Sequence, residues 1–374
     1  MTAQIQERVR EAGAARTPLR IKGRSSWLSA GRPVDATDSV SVADLSGVSD
    51  YVPGDLTITV RAGTTLADLA RVTGEQGQWL PLNPFGSDNG SIGATVATGS
   101  SGPFSHGFGT IRDLVLGLEV VTGDAKIIRG GGRVVKNVAG FDLVRLMTGS
   151  WGTLGVITEV TLRLYALPAH RATIAMEAPT DARRLAERFR ALLEAPIIPY
   201  ALELVSEEMS RRIGLPSRPM ILVEIGGNDA AVSSQKVALG KLAAVIEGPS
   251  DCWDRMRTIA NGESTVFRLS GLPAGLATRW DAAKRIVDDA DGAMMHASIG
   301  RGTVRCILGN DLPPDAIERL AISDQGNTLI LETAPASLWT RLSPTAIPDR
   351  VSQNLRRAFD PLAILNPGIL GTTN

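Results

Sequence analysis

Cysteine and histidine are scarce in this chain: two of the first, Cys252 and Cys306, and three of the second, His106, His170 and His296, in 374 residues. The cysteines have no CxxC spacing and the histidines are scattered. Neither a disulfide framework nor a zinc motif is expected, no metal is predicted, and the usage fits a reduced, cytoplasmic protein. No apolar run approaches the roughly 18 residues that span a bilayer. The first residues, Met1 to Gly13, are charged and helix-like, unlike a signal peptide. No direct membrane span is expected, and any peripheral place at an inner membrane would come through partners. Formal net charge is zero, which argues against nucleic acid as the main partner, because neutralising phosphates needs a basic surplus. There is no P-loop sequence and no G-x-G-x-x-G between a strand and a helix, so two familiar phosphate-binding devices are excluded.

Glycine, by contrast, is concentrated. Sixteen of the 39 glycines fall between Gly86 and Gly155, about twice an even share. Glycine loses more backbone entropy on folding than other residues, so such a concentration weakens a scaffold unless close backbone approach is its purpose. Successive N–H groups in glycine-rich turns form nests for anions. The segment Asn83 to Gly102 has neither helical nor strand periodicity, and long ordered segments of that kind are usually functional. A second glycine-rich segment, Gly149 to Gly155, follows about fifty residues later. The region reads as the bed of a large phosphate-bearing cofactor, bound by loops without a helix N-terminus as the main device. Two separated segments imply a ligand longer than a mononucleotide. FAD, elongated and with its pyrophosphate at mid-length, fits.

At this length two domains are expected. Ile5 to Ala15 reads as a helix and Leu19 to Lys22 as a strand. Val40 to Leu45 and Leu56 to Val60 are further strand candidates. Thr65 with Asp68 forms a carboxylate variant of the capping box. Leu114 to Val121 and Ala125 to Arg129 read as a hairpin, and Asp142 as the cap of a short helix to Met147. Gly155 to Tyr165 alternates as a half-buried strand. Beyond Pro168, strands and helices without a glycine bed predict an α+β domain, helices on one face of a mostly antiparallel sheet. Its helices are expected at Asp181 to Glu194, about Ala231 to Ile246, and Trp280 to Asp288. A last helix is expected from about Pro348 to Ala358.

Three groups of residues carry a resemblance. The first is Gly90-Ser91-Ile92-Gly93-Ala94 with Ser101-Gly102 and Gly107-Phe108-Gly109-Thr110-Ile111-Arg112-Asp113. The second is Lys136-Asn137-Val138-Ala139-Gly140-Phe141-Asp142 with Gly149-Ser150-Trp151-Gly152-Thr153-Leu154-Gly155. The third is Phe359-Asp360-Pro361 with Leu365-Asn366-Pro367-Gly368. As an ordered set they resemble the vanillyl-alcohol oxidase and p-cresol methylhydroxylase flavoproteins. The short chain and the Lys-Asn-Val-Ala-Gly-Phe-Asp wording most resemble the FAD-binding subunits of bacterial glycolate oxidase.

The resemblance implies an α+β protein with a two-part FAD-binding domain of that type. Its parts would be residues 1–169 and a C-terminal segment, 341–374, returning to it, with an α+β cap or substrate domain at 170–340. It implies oxidation of a 2-hydroxy acid such as glycolate. Electrons would pass from flavin to partners, a larger FAD-linked catalytic subunit and an iron–sulfur subunit. The pyrophosphate loop maps onto Lys22, Gly23, Arg24, Ser25, Ser26 and Trp27, with Arg24-Ser25-Ser26 standing where the family has small glycines. Pro81, Ser91, Ile92, Gly93 and Thr95 would line the cofactor, Gly102, Gly109, Thr110 and Asp113 would continue that wall, and Gly152, Gly155 and Ile157 would surround the adenine end. No family motif puts a histidine in the tether position, so FAD is expected to be non-covalent and His106 a loop residue. Lys136 is a candidate to stabilise negative charge on reduced flavin, or is a solvated loop lysine.

His296 precedes a G-x-G and is a candidate catalytic residue or a satisfied structural histidine. No second histidine or glutamate stands near it in sequence. Trp151 stands where the catalytic subunits have glutamate, which weighs against independent chemistry. A free-standing FAD-linked 2-hydroxy-acid dehydrogenase using His296 and Arg301, and a non-catalytic assembly module retaining the flavin fold, are the alternatives.

Overall fold

Valines, threonines and leucines at alternate positions make Val156–Arg163 a central strand of the first sheet. Val156, Val160 and Leu162 are fully buried, and Arg163 is exposed. In this computed structural model, which describes residues 1–132, 142–260, 264–309, 328–339 and 349–371, the chain forms two units. The first comprises Met1–Ser101, Phe108–Leu167 and Ala336–Asn374, and the second Gly102–Gly107 and Pro168–Pro335.

In the first unit five strands run in the order Val48–Val52, Thr57–Arg61, Val156–Arg163, Val115–Val121, Ile127–Gly131, each antiparallel to its neighbours. Apart from this sheet, Leu19–Lys22 pairs in parallel with Asp38–Ser41. The N-terminal helix Thr2–Ala15 buries Ile5, Val9 and Ala12, the spacing of one helical face. The last described segment is tied to the beginning of the chain. The Leu19 N–H donates to the Ile364 carbonyl (2.7 Å) and the Asn366 N–H to the Leu19 carbonyl (2.9 Å). Buried Asp360 organises that return by accepting from the N–H groups of Ile364 (3.2 Å) and Leu365 (2.8 Å). Burial pushes its carboxyl above the ordinary range, against the pull of those donors and of Arg356.

Three expectations are corrected. The glycine-rich bed contains a helix, Ile92–Thr98, closed by Gly99 in the left-handed region (φ +68°). Its glycine and threonines hide it from propensity, and tertiary packing forms it instead: the Gly93 N–H donates to the Ala62 carbonyl (2.8 Å), where a Cβ would stand 2.7 Å from the Ala62 Cβ. The strand expected at Val40 to Leu45 is Asp38–Ser41, and Val48–Val52 is a further strand the alternation did not reveal. The helix expected to reach Ile246 is Asp229–Gly240. The following Val245–Glu247, led by two β-branched residues, instead pairs with Ile174 to Met176.

The second unit is an eight-stranded sheet in the order Val245–Glu247, His170–Glu177, Met220–Gly227, Ala201–Val205, Met294–Ser298, Thr303–Leu308, Thr265–Ser270, Thr328–Thr333, antiparallel throughout. Helices Ala182–Glu194, Asp229–Gly240 and Leu276–Val287 share one hydrophobic cluster with Ile174, Leu202, Leu204, Val223, Phe267 and Cys306. Because side chains alternate along a strand, the residues between these face the other way. There the sheet carries Thr173, Glu224, Glu203, His296, Arg305 and Arg268, brought into one row by the register.

Candidate functional site

In the first unit, the strand Leu19–Lys22, its following loop, the helix Ile92–Thr98 and the turn through Trp151 and Gly152 enclose a cleft. It holds roughly 1090 Å³ of space between atoms, part of it open to solvent. Arg20, Lys22 and Arg24 stand on its wall, and among the described residues no aspartate or glutamate lines it. Arg24 Nε donates to the Gly63 carbonyl (3.1 Å) and Arg20 Nη2 to the Leu28 carbonyl (2.6 Å). Those bonds position both guanidinium groups without neutralising them. The Ser91 and Ser100 hydroxyls are buried with no hydrogen-bond partner among the described residues, and such buried orphans need an explanation. Gly23 lies over Ser91, where a Cβ would collide with the hydroxyl. Cations without counter-ions, donors without acceptors and a backbone pared to glycine suit a phosphate-bearing ligand.

The walls are held together by one side chain. Asn366 is buried, with φ +44°. Its Oδ1 accepts from the Ile21 N–H (2.7 Å), and its Nδ2 donates to the Trp151 carbonyl (2.8 Å). The Trp151 N–H in turn donates to the Ala97 carbonyl (2.8 Å). Strand, turn and helix are thereby fixed to the C-terminal segment.

Of the residues expected to hold cofactor, the cleft brings together Lys22, Gly23, Arg24, Ser25, Ser26 and Trp27 from the loop. Ser91, Gly93 and Thr95 join them from the helix region, and Gly152, Gly155 and Ile157 from the turn. Six others do not line it. Ile92 is fully buried in the core, and Pro81 is buried away from the cleft. Thr110 and Asp113 form a capping box, in which the Asp113 carboxylate accepts from the Thr110 N–H (2.7 Å) and hydroxyl (2.8 Å), and Gly109 packs against Asp113. Gly102 groups with the second unit. Phe85, Thr98 and Ser100, from the segment expected to form the bed, also line it, as do Arg20 and Asn366, which were not expected there. The Asn-Pro-Gly wording was visible at Asn366, but nothing local announces a partner 345 residues away.

In the second unit His296 is buried, and its Nδ1 lies 2.7 Å from Glu203 Oε2. The expectation that no glutamate accompanies it is therefore corrected. Glu203 is supplied by the neighbouring strand, and pairing of Val205 with His296 brings the two side chains to one face. On the same row Arg305 Nε donates to Glu332 Oε2 (2.8 Å), and Arg268 approaches the other oxygen at 3.9 Å. Burial pushes Glu332 up, but Arg305 and Arg268 more than offset this and hold it below the ordinary range. Trp253 Nε1 donates to Thr173 Oγ1 (2.9 Å) and Glu224 Oε2 (3.0 Å), and burial raises Glu224. His106 packs against Gly300. Burial lowers its pKa, opposed by Glu203 and assisted by Arg301. Lys136 lies outside the described residues. Cys252 and Cys306 are buried, and burial pushes the Cys252 thiol up to about 12, so neither is a nucleophile. No cluster of potential metal ligands occurs among the described residues.

Residues 1–131 match the FAD binding domain family. The chain is 30% identical over 369 residues to glycolate oxidase subunit GlcE of Escherichia coli (strain K12), covering 97% of this chain and 95% of that one. It is 32% identical over 222 residues to glycolate oxidase subunit GlcD of Bacillus subtilis (strain 168), covering 57% of this chain and 47% of that one. Among solved structures, alkyldihydroxyacetonephosphate synthase matches with a TM-score of 0.71 at 18% identity, over 97% of this chain and 73% of that one. That last likeness is one of fold alone.

Proposed function

Because the chain belongs to the PCMH-type FAD-binding family of the glycolate oxidase subunit GlcE, we propose that it is the FAD-carrying subunit of a glycolate-oxidase-type complex, oxidising glycolate to glyoxylate. Its cofactor is FAD, and it is an FAD-dependent oxidoreductase of the hydroxy-acid class. The observation that carries the proposal is the cleft of the first unit, cationic and, among the described residues, free of carboxylates. Lys22 and Arg24 offset pyrophosphate charge there, and the Ser91 and Ser100 hydroxyls find acceptors. Gly23 and Gly93 let the cleft walls pack closely, Gly23 over Ser91 and Gly93 against Ala62. When bound, FAD supplies a two-electron acceptor for hydrogen removed from the carbon that bears the hydroxyl. The partners in this reading are a larger FAD-linked subunit and an iron–sulfur subunit that carries electrons onward. No helix among the described residues is long and apolar enough to cross a membrane. A cytoplasmic place, peripheral to a membrane only through partners, is part of the proposal.

A second reading, a free-standing FAD-linked 2-hydroxy-acid dehydrogenase, draws on the His296–Glu203 pair. A carboxylate at Nδ1 fixes the imidazole's orientation, the device by which a histidine is held for proton transfer. Anaerobic titration of the purified flavoprotein with glycolate and D-lactate separates the two. Bleaching of the flavin bands only after partner subunits are added supports the complex. Bleaching by the chain alone supports the second reading. Folded protein that stays colourless in added FAD ends both.

A further inference from the structure

Trp151 is the one bulky aromatic among the described residues whose backbone is left-handed, at φ +55°. That region disfavours any side chain with a Cβ, and for a large one it marks a genuine outlier. Glycine or asparagine would occupy the position at little cost. The conformation is imposed by the hydrogen bonds at both ends of the residue, to Ala97 and from Asn366. It sends the indole over Gly31, where a Cβ would stand 3.0 Å from Trp151 Cζ3. The ring is thus locked, and strain of this kind clusters at ligand clamps. Trp27 faces it with ring centroids 6.3 Å apart and planes tilted by 37°. Both indoles are only half buried on the cleft wall, and Ile369 covers Gly31 together with Trp151.

We propose that Trp27 and Trp151 form a stacking wedge for the adenine ring of the cofactor and thereby select a dinucleotide over a mononucleotide. This rests on the FAD reading above. A planar ring held at about 3.5 Å from each indole needs them parallel and roughly 7 Å apart, so Trp27, on its exposed loop, turns out of the present 37° tilt and moves outward to admit it. Trp27 belongs to the same short loop as Lys22 and Arg24, so one nucleotide can lay its phosphate on the cations and its base on the ring. The reacting isoalloxazine must keep a face open to substrate. A ring between two indoles has both faces covered, which favours the purine.

The test uses apo-protein titrated with FAD, ADP and FMN, followed by tryptophan fluorescence and calorimetry. Wild type is expected to bind FAD and ADP. Trp151→Asn, which keeps a residue tolerant of the left-handed turn, is expected to weaken both by about tenfold, leave FMN binding unchanged and not lower Tm. Trp27→Leu is expected to act in the same direction, and Trp151→Phe to restore most of the affinity. FAD and ADP affinities within about twofold of wild type in Trp151→Asn overturn the wedge. A parallel loss of FMN binding also overturns it, by placing the isoalloxazine on the tryptophans. Wild type that binds FAD but not ADP defeats the wedge alone, whereas wild type that binds neither defeats the FAD reading as well.

Discussion

On the cleft of the first unit, Arg20, Lys22 and Arg24 have no ion-pair partner among the described residues. On the sheet face of the second, Arg305 and Arg268 both meet Glu332, and His296 meets Glu203. Exposure explains the difference. The loop that carries Lys22 and Arg24 is half-buried to exposed, so its cations keep water and can exchange it for an anionic ligand. The row on the sheet is buried except at half-buried Arg268, and a charge taken out of water needs a partner built into the protein. One region is poised to receive charge, and the other has already neutralised its own.

The largest effect is expected where neutralisation is removed. Glu332→Ala removes the buried carboxylate that Arg305 and Arg268 both meet and should cost about 3–5 kcal/mol in urea unfolding. A loss below about 1 kcal/mol, the range of surface pairs, would break the contrast. Next, Asn366→Ala deletes two hydrogen bonds between cleft walls, and a loss of about 2 kcal/mol is expected at roughly one per bond, together with weaker FAD binding. Unchanged FAD affinity would show that the walls need no such tie. Third, Lys22→Gln and Arg24→Gln should each lower FAD affinity by about tenfold, or ~1.4 kcal/mol, flatten its salt dependence and leave Tm unchanged. A fall in Tm without a fall in affinity would assign these cations to the fold instead.

The smallest effect concerns pH. Burial holds folded His106 below its ordinary 6.5, so between the two values the unfolded chain binds more protons than the folded one. Stability from this group is fully present above that ordinary value and is lost as pH falls through the window beneath it. Wild type should therefore lose more stability between about pH 7 and 5 than His106→Asn does, measured by urea unfolding at each pH. Parallel curves would remove His106 from the second unit's buried charge balance.

Much of this was written in local sequence. The concentration of glycine marked the cleft, the alternation of Val156 to Leu164 marked the central strand, and Thr65 and Asp142 marked helix starts that their hydrogen bonds to Asp68 and Arg145 realise. The antiparallel sheet of the second unit also followed from pattern, whereas the helix Cys252–Thr258 on its other face, whose Trp253 reaches Thr173 and Glu224, did not. What was not written locally depends on register and return. Glu203 meets His296 only because strands 93 residues apart pair in a given register. Asn366 reaches Ile21 only after the chain comes back to its beginning. Thr110 and Asp113 form a capping box, which draws on the same polar residue types as a phosphate wall, and only geometry separates the two.

The central claim is that loops of the first unit hold FAD on unpaired cations. Its most direct test is calorimetric titration of folded apo-protein with FAD, run beside the Lys22→Glu, Arg24→Glu double variant. The expected result is one FAD per wild-type chain with loss of binding in the variant at unchanged Tm. Wild-type protein that is folded yet takes up no FAD at about 10 μM, or a double variant that binds as tightly as wild type, would contradict it.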